Sequence, residues 1–323
     1  MCHDRSSVSP LDHKRNKETP HTTKQKTTDI LVSHLTLLEV SAKTSFFLNM
    51  PTSILLIVTG ASRGFGRSVA KIFSESVDTI EAVLIARSLE GLQATAELVQ
   101  AKAPSSTKVT CLDMDLSNLE NLDSNLDRLF AVLDAIGDAS KFDSVVFVNN
   151  AGTVGHVGPA VAAPSLKDLR ANVDLNITSS MWLSVRFARY SLQRKKNEIW
   201  SKTTILVNVS SLVAIADFPS MACYSAGKAA REKYHTIMAQ ELKTARDDST
   251  DEVIKILNYA PGPLETDMVT EIRSSSSLDK SLRPSYDKPQ LNPDDSSKKL
   301  AQLILCNNYE SGAHIDYYDL PDP

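Results

Sequence analysis

Three side chains in the carboxyl-terminal half have types and spacing suited to proton transfer at an oxygen. Tyr224 and Lys228 lie four apart in YSAGK, at the start of a helical stretch, which puts both on one helix face. A free tyrosine, with a pKa near ~10, is a poor acid–base group at neutral pH; a neighbouring ammonium stabilises the phenolate and lowers that value. Tyr224 can then hand a proton to a carbonyl oxygen as hydride reaches the carbon. Positioned proton transfer of this kind contributes about 10²–10⁴-fold in rate. Ser211, thirteen residues before Tyr224, ends the run NVSS, and its hydroxyl can hydrogen-bond the same oxygen. Ser210 is one residue off that spacing.

A second cluster of chemistry lies near the start of the folded part. The chain has 11 glycines in 323 residues, about half the usual ~7%, yet Gly60, Gly64 and Gly66 fall within TGASRGFG at 59–66. This string follows an apolar strand and opens a helix. That is the context in which side-chain-free backbone lets a pyrophosphate approach helix N-terminal amides. Ser62, Arg63 and Phe65 complete the loop. An NAD site usually ends its second strand with an acid that holds the ribose 2′-hydroxyl. Here that strand ends Ala86-Arg87-Ser88. Arg87 and Arg63 are two guanidiniums that suit a 2′-phosphate, so the reading favours NADPH/NADP+ over NADH.

These groups need a scaffold, and the sequence alternates apolar runs with helical stretches from residue 53 onward. Strands are expected at 53–59, 81–86, 108–113, 144–149, 203–209, 253–259 and 313–318, several of them near-continuous Val/Ile/Leu runs typical of strands buried on both faces. Helices are expected at 64–77, 88–102, 117–136, 165–195, 222–246 and 295–307. The pattern predicts an α/β fold: a doubly wound, Rossmann-type parallel sheet in a single domain spanning 50–323. The stretch 268–296, with four consecutive serines and three prolines, reads as the longest irregular segment and as a lid over a site.

The spacing TGxxxGxG, followed in order by Asp115-Leu116, NNAG at 149–152, Ser211, YSAGK and the run NYAPGPLETDM, resembles the short-chain dehydrogenase/reductase family over residues 53 to about 318. The resemblance implies that Asp115 and Leu116 contact the adenine and that Asn150, Ala151 and Gly152 support the sheet beside the cofactor. It implies further that Pro261 and Gly262 lie by the nicotinamide, that Thr266 lies near the carboxamide, and that Asn176 in DLNITS joins a proton relay through Lys228. Within the family, VNVSSLVAIADF, YSAGKAARE, LNYAPGPLETDM and SGAHIDYYD resemble the sepiapterin reductase subgroup, which reduces pterin side-chain ketones in tetrahydrobiopterin biosynthesis. That likeness makes Asp316 the carboxylate that would pair with the guanidine-like edge of a pterin. It also implies a homodimer through the long helices at 165–195 and 222–246. Residues 159–172 and 268–296 depart from the subgroup, which leaves a diketone or other xenobiotic carbonyl as the alternative substrate. A non-catalytic NADPH-binding regulator is the contrasting class; such proteins tend to lose the tyrosine or lysine, and both are present here.

Composition excludes several other functions. With 35 Lys+Arg against 39 Asp+Glu, the net charge is −4, unlike the basic face that nucleic-acid binding needs. No apolar run approaches the roughly 18–20 residues of a membrane span. Cys2, Cys111, Cys223 and Cys306 form no CxxC pair, which argues against a disulfide scaffold or thiolate zinc site and points to a reducing, cytoplasmic setting. Residues 1–49 contain no glycine, four of the seven histidines, and 7 basic against 5 acidic residues. They read as a disordered extension, with a short amphipathic helix at 30–40 and no metal-ligand spacing. Met50-Pro-Thr-Ser reads as a natural start.

Overall fold

The computed structural model describes residues 53–102, 107–201, 203–244 and 254–321. The expected extension at 1–49 and its helix at 30–40 lie outside those residues. Seven strands form one parallel sheet: β1 (Ser53–Thr59), β2 (Thr79–Ala86), β3 (Lys108–Asp113), β4 (Ser144–Asn149), β5 (Thr203–Val209), β6 (Lys255–Ala260) and β7 (His314–Asp316). Their order is β3-β2-β1-β4-β5-β6-β7, so the chain reverses its direction of travel between β1 and β4. In open sheets of this topology, ligands bind outside the carboxyl ends of the strands at that switch point.

Period-two alternation divides the core. Ile54, Leu56 and Val58 of β1 face one apolar cluster with Val69, Phe73, Leu92 and Leu300. Leu55 and Ile57 face the other, with Leu126, Leu129, Leu183 and Phe187. The first layer is built by α1 (Gly64–Ser76), α2 (Leu89–Lys102) and α9 (Pro293–Cys306), and the second by α3 (Leu122–Ile136), α5 (Ser180–Lys196) and α6 (Ala222–Thr244). Each fully buried aliphatic side chain of these layers is worth about 1.5–3 kcal/mol.

Three differences from the sequence reading bear on the site. The long helix expected at 165–195 is interrupted: α4 (Leu166–Val173) runs into a π-helical turn, Asp174–Ser179, before α5 begins. About half of the segment 268–296 is helix rather than irregular chain. It contains α7 (Asp267–Ser274), α8 (Arg283–Tyr286) and the start of α9, where Asn292 caps the helix by accepting from the Asp294 amide at 2.9 Å. The last strand stops at Asp316 because Asp316 and Asp319 cap each other's backbone, turning Tyr317–Asp319 into a 3-10 helix.

Candidate active site

The glycine loop is closed by its own backbone. Gly60 and Gly64 have φ of +67° and +55°, a region that L side chains rarely adopt. A methyl group on Gly66 would lie 2.3 Å from the Gly60 carbonyl oxygen, so only glycine allows the turn to close. On Gly64 a methyl would instead enter the gap facing Thr266, 3.5 Å from its Cγ2. That position lies beside the amides of the first turn of α1, whose unpaired N–H groups suit an anion such as a pyrophosphate. The loop is tied to β4 by Thr59, whose hydroxyl accepts from the Asn150 and Ala151 amides at 2.9 Å each, while Asn150 Nδ2 donates to the Thr59 carbonyl at 2.8 Å. Arg67, which the sequence reading passed over, braces it from behind: its guanidinium donates to the Ser62 carbonyl and, at 3.1 Å, to Thr95 Oγ1.

Not every loop residue faces a ligand. The Phe65 ring is buried in the core and stacks on Tyr259 at 6.2 Å between centroids, which leaves only its backbone for a cofactor. Leu116 is likewise buried, whereas Asp115 is exposed and its Oδ1 accepts from the Ser117 amide and hydroxyl. Arg87 is exposed at the carboxyl end of β2 and has no side-chain partner among the described residues. Arg63 is paired with Asp267, at the start of α7, at 2.7 Å.

At the carboxyl end of β5 the expected catalytic residues come together. Ser211, at the end of β5, lies close enough to the Tyr224 phenol to lower its pKa. The Lys228 Nζ lies 5.5 Å from the Tyr224 ring centroid and donates to the Val209 carbonyl at 2.6 Å. Asn176 sits in the π turn, buried, with Oδ1 accepting from the Thr153 amide at 3.0 Å and Nδ2 donating to the Thr153 carbonyl at 2.8 Å. Gly152 and Gly227 flank it: methyl groups there would lie 3.0 Å from Asn176 Oδ1 and 3.1 Å from its Cβ. Ser210 is turned away, bonded through its hydroxyl to Glu232.

The electrostatics differ from the simple picture of a lysine acidifying a tyrosine. Burial pushes the Tyr224 phenol up to about 12, opposed first by the positive charge of Arg231 and then by the Ser211 hydroxyl. Lys228 is itself driven well below the ordinary lysine value, by burial and by Arg231. In this state Tyr224 holds its proton at neutral pH, and Arg231 is the cation that restrains the rise.

Arg231 and two neighbours were not anticipated from sequence. Arg231 is fully buried and donates to Asn208 Oδ1 (2.9 Å), the Ala151 carbonyl (3.0 Å) and the Asn149 carbonyl (2.6 Å). It therefore fixes the NNAG segment onto α6. His235 Nδ1 donates to the Arg231 carbonyl at 2.7 Å, and burial lowers its pKa to about 3, so the ring is neutral. Glu232 accepts from Ser210 and from His314 Nδ1 at 2.9 Å, which links β5, α6 and β7.

Pro261 and Gly262 follow β6, and a methyl on Gly262 would strike Leu291 Cδ1 at 2.7 Å. Thr266 closes toward the glycine loop, as above. Asp316 ends β7 opposite Ala260, on the same carboxyl edge as the other groups; its Oδ1 accepts from the Tyr318 amide at 3.0 Å. The lid packs down over this edge. Its residues Met268, Ile272, Leu278, Leu282 and Tyr286 share an apolar cluster with Val154, Val157, Val213, Met221 and Tyr224.

Residues 55–277 match the sequence pattern of the family described as short chain dehydrogenase. The chain is similar to sepiapterin reductase of Xenopus tropicalis, 31% identical over 275 residues, with 83% of this chain and 97% of the relative covered. It is also similar to benzil reductase ((S)-benzoin forming) of Bacillus subtilis strain 168, 28% identical over 229 residues, covering 70% and 80% of the two chains. Among solved structures, 3-ketoacyl-(acyl-carrier-protein) reductase from Brucella melitensis complexed with NADH superposes with a TM-score of 0.63 at 22% identity, over 82% of this chain and 96% of that one. The family match, the doubly wound sheet and the serine–tyrosine–lysine cluster at its carboxyl edge agree: the chain belongs to the short-chain dehydrogenases, nicotinamide-dependent oxidoreductases acting on the CH–OH/C=O pair.

Proposed function

We propose that this protein is an NADPH-dependent carbonyl reductase of the sepiapterin reductase type. The observation that carries the reading is the Lys228 Nζ 5.5 Å from the Tyr224 ring, with Ser211 beside the phenol at the end of β5. When bound, the cofactor supplies hydride to the carbonyl carbon. The loop Gly60–Gly66, with Asn150 to Gly152 behind it, would hold the pyrophosphate. Arg87, on a strand end with no acid, and Arg63, once released from Asp267, would hold the 2′-phosphate. Asp115, Pro261, Gly262 and Thr266 would complete that cleft, with the buried Leu116 packed behind it.

Ser211 orients the substrate oxygen, and Tyr224 donates the proton. A phenol kept protonated by burial suits reduction, where the group must start as an acid. Lys228 faces the ring and supports proton return to Tyr224, with Asn176 behind it. Asp316 would take two N–H bonds from a pterin edge. Two adjacent oxygens recur in the substrates named for the relatives: sepiapterin carries a hydroxyl beside its side-chain ketone, and benzil carries two neighbouring carbonyls. The apolar cluster over Tyr224 favours benzil-like diketones as the second reading. We also take residues 50–323 as the reductase domain, 1–49 as an extension to it, and a cytoplasmic homodimer as the working form.

NADPH oxidation by the full chain, measured with sepiapterin and with benzil, tests the reading. Asp316→Ala should abolish sepiapterin turnover and spare benzil. Equal losses on both would remove Asp316 as the pterin anchor, and no turnover of either by the wild type would overturn the reductase assignment.

A further inference from the structure

The segment after β6 brings a second phenol to the apolar cluster that holds Tyr224. Tyr286 ends α8, and its ring lies in the same apolar cluster as Tyr224, Met221, Val154 and Val213. Among the described residues, the one partner of its hydroxyl is the Met221 Sδ at 3.7 Å. A thioether is a weak acceptor, so a half-buried O–H donor is left poorly satisfied beside an apolar cluster. Burial pushes the Tyr286 pKa up, so the phenol keeps its proton as a donor. The two phenols are close enough that charge on Tyr286 would raise the pKa of Tyr224.

The backbone that carries Tyr286 is held firmly. Arg273 Nε donates to the Tyr286 carbonyl at 2.6 Å. The same guanidinium is gripped by both carboxylate oxygens of Glu265, at 2.9 and 3.0 Å, just after the turn that follows β6. Ahead of α8, Ser275 Oγ donates to the Val157 carbonyl at 2.8 Å, and the Asp279 amide donates to Ser220 Oγ at 2.8 Å. The donor is thus preorganised from both sides rather than swung in on a loose loop.

Ser211 and Tyr224 together address one oxygen. A third donor packed against the same cluster as Tyr224 suits a substrate with another oxygen close to the first. We infer that Tyr286 is a specificity-determining residue that hydrogen-bonds the oxygen on the carbon next to the reacting carbonyl, so that the pocket selects α-hydroxyketones and vicinal diketones over isolated ketones. This rests on the carbonyl-reductase reading above. A site built to bond a substrate oxygen discriminates strongly against an analogue that lacks it, because its own polar group is then left unpaired.

The test compares benzil with deoxybenzoin, the same skeleton with one oxygen fewer, on the full-length wild type and Tyr286→Phe. In the NADPH-dependent assay, kcat/KM for benzil should fall about tenfold in Tyr286→Phe, while that for deoxybenzoin changes less than about twofold. Arg273→Met, which frees the Tyr286 carbonyl and leaves the phenol intact, should reproduce the selective loss in weaker form. Equal losses on both compounds, or none on benzil, would overturn the proposal. Calorimetric binding of the two compounds without cofactor gives a readout free of turnover. If the wild type reduces neither compound but binds benzil in a manner that Tyr286→Phe selectively weakens, the role of Tyr286 stands and the reductase reading falls.

Discussion

Replacing Arg231 by Met removes a buried group that joins α6 to the NNAG segment and to β5 at once. Three acceptors lose their donor: Asn208 Oδ1, the Ala151 carbonyl and the Asn149 carbonyl, at 2.9, 3.0 and 2.6 Å. A buried acceptor left unsatisfied costs about 1–3 kcal/mol, so three would cost roughly 3–9 kcal/mol if none relaxed. Some of this is returned, because the wild type bears the desolvation of a fully buried guanidinium, whose pKa is pulled down to about 10. The net expectation is a loss of about 3–5 kcal/mol, and at ~2–4 °C per kcal/mol the thermal midpoint falls by about 10 °C. Arg231→Lys keeps the charge but cannot reach three diverging acceptors, and should fall between the two. Urea unfolding of the full chain, followed by circular dichroism, reads both variants. The same substitution removes the cation that restrains the Tyr224 pKa, so the phenol of the Met variant should titrate higher than in the wild type. A stability loss below about 1 kcal/mol for Arg231→Met would refute the reasoning, since it would mean that the three acceptors find other donors at no cost.

Three further outcomes follow from the same geometry. Gly66→Ala places a methyl 2.3 Å from the Gly60 carbonyl oxygen and should abolish NADPH binding measured by nucleotide fluorescence; unchanged affinity would contradict the loop's role. Arg87→Asp should shift the ratio of kcat/KM for NADPH and NADH by at least about tenfold toward NADH, through loss of a charge-assisted bond and gain of a 2′-hydroxyl acceptor. His314 has a raised pKa, mainly from its bond to Glu232, with Asp316 and Asp319 adding to it. Its contribution to stability is therefore fully present below the unfolded value near ~6.5 and is lost as pH rises through the folded value. Urea midpoints should fall between pH 6 and pH 9 in the wild type by more than in His314→Asn, which keeps a donor without titrating; parallel profiles would rule the pair out as the source.

Much of the fold was legible because its strands are buried on both faces: SILLIVT, SVVFVN and TTILVNV read as strands without help from context. Tyr224, Lys228 and Ser211 were legible because their spacing is local to one strand end and one helix. The π turn was not, since DLNITS carries an ordinary helical pattern and the extra residue per turn shows only when Asn176 is seen bonded to Thr153. Arg231, Glu232 and His314 escaped because their partners are 82 residues away in two cases, and nothing in YSAGKAARE announces which polar residue turns inward. Phe65 was taken with its glycine neighbours, although its ring belongs to the core. The balance at Tyr224 could not be read from a four-residue spacing, because burial outweighs the nearby charges. Helical packing under the lid was masked by its serines and prolines, whose caps and turns hold α7 and α8 in place.

The central claim is that this chain reduces a carbonyl with hydride taken from NADPH and a proton given by Tyr224. The direct measurement is mass spectrometry of the alcohol formed from benzil by the full chain with NADPH deuterated on the transferring face of C4. One deuterium on the carbinol carbon is expected with wild-type protein, and no product with Tyr224→Phe. Unlabelled product, or labelled product formed as fast by Tyr224→Phe as by the wild type, would contradict it.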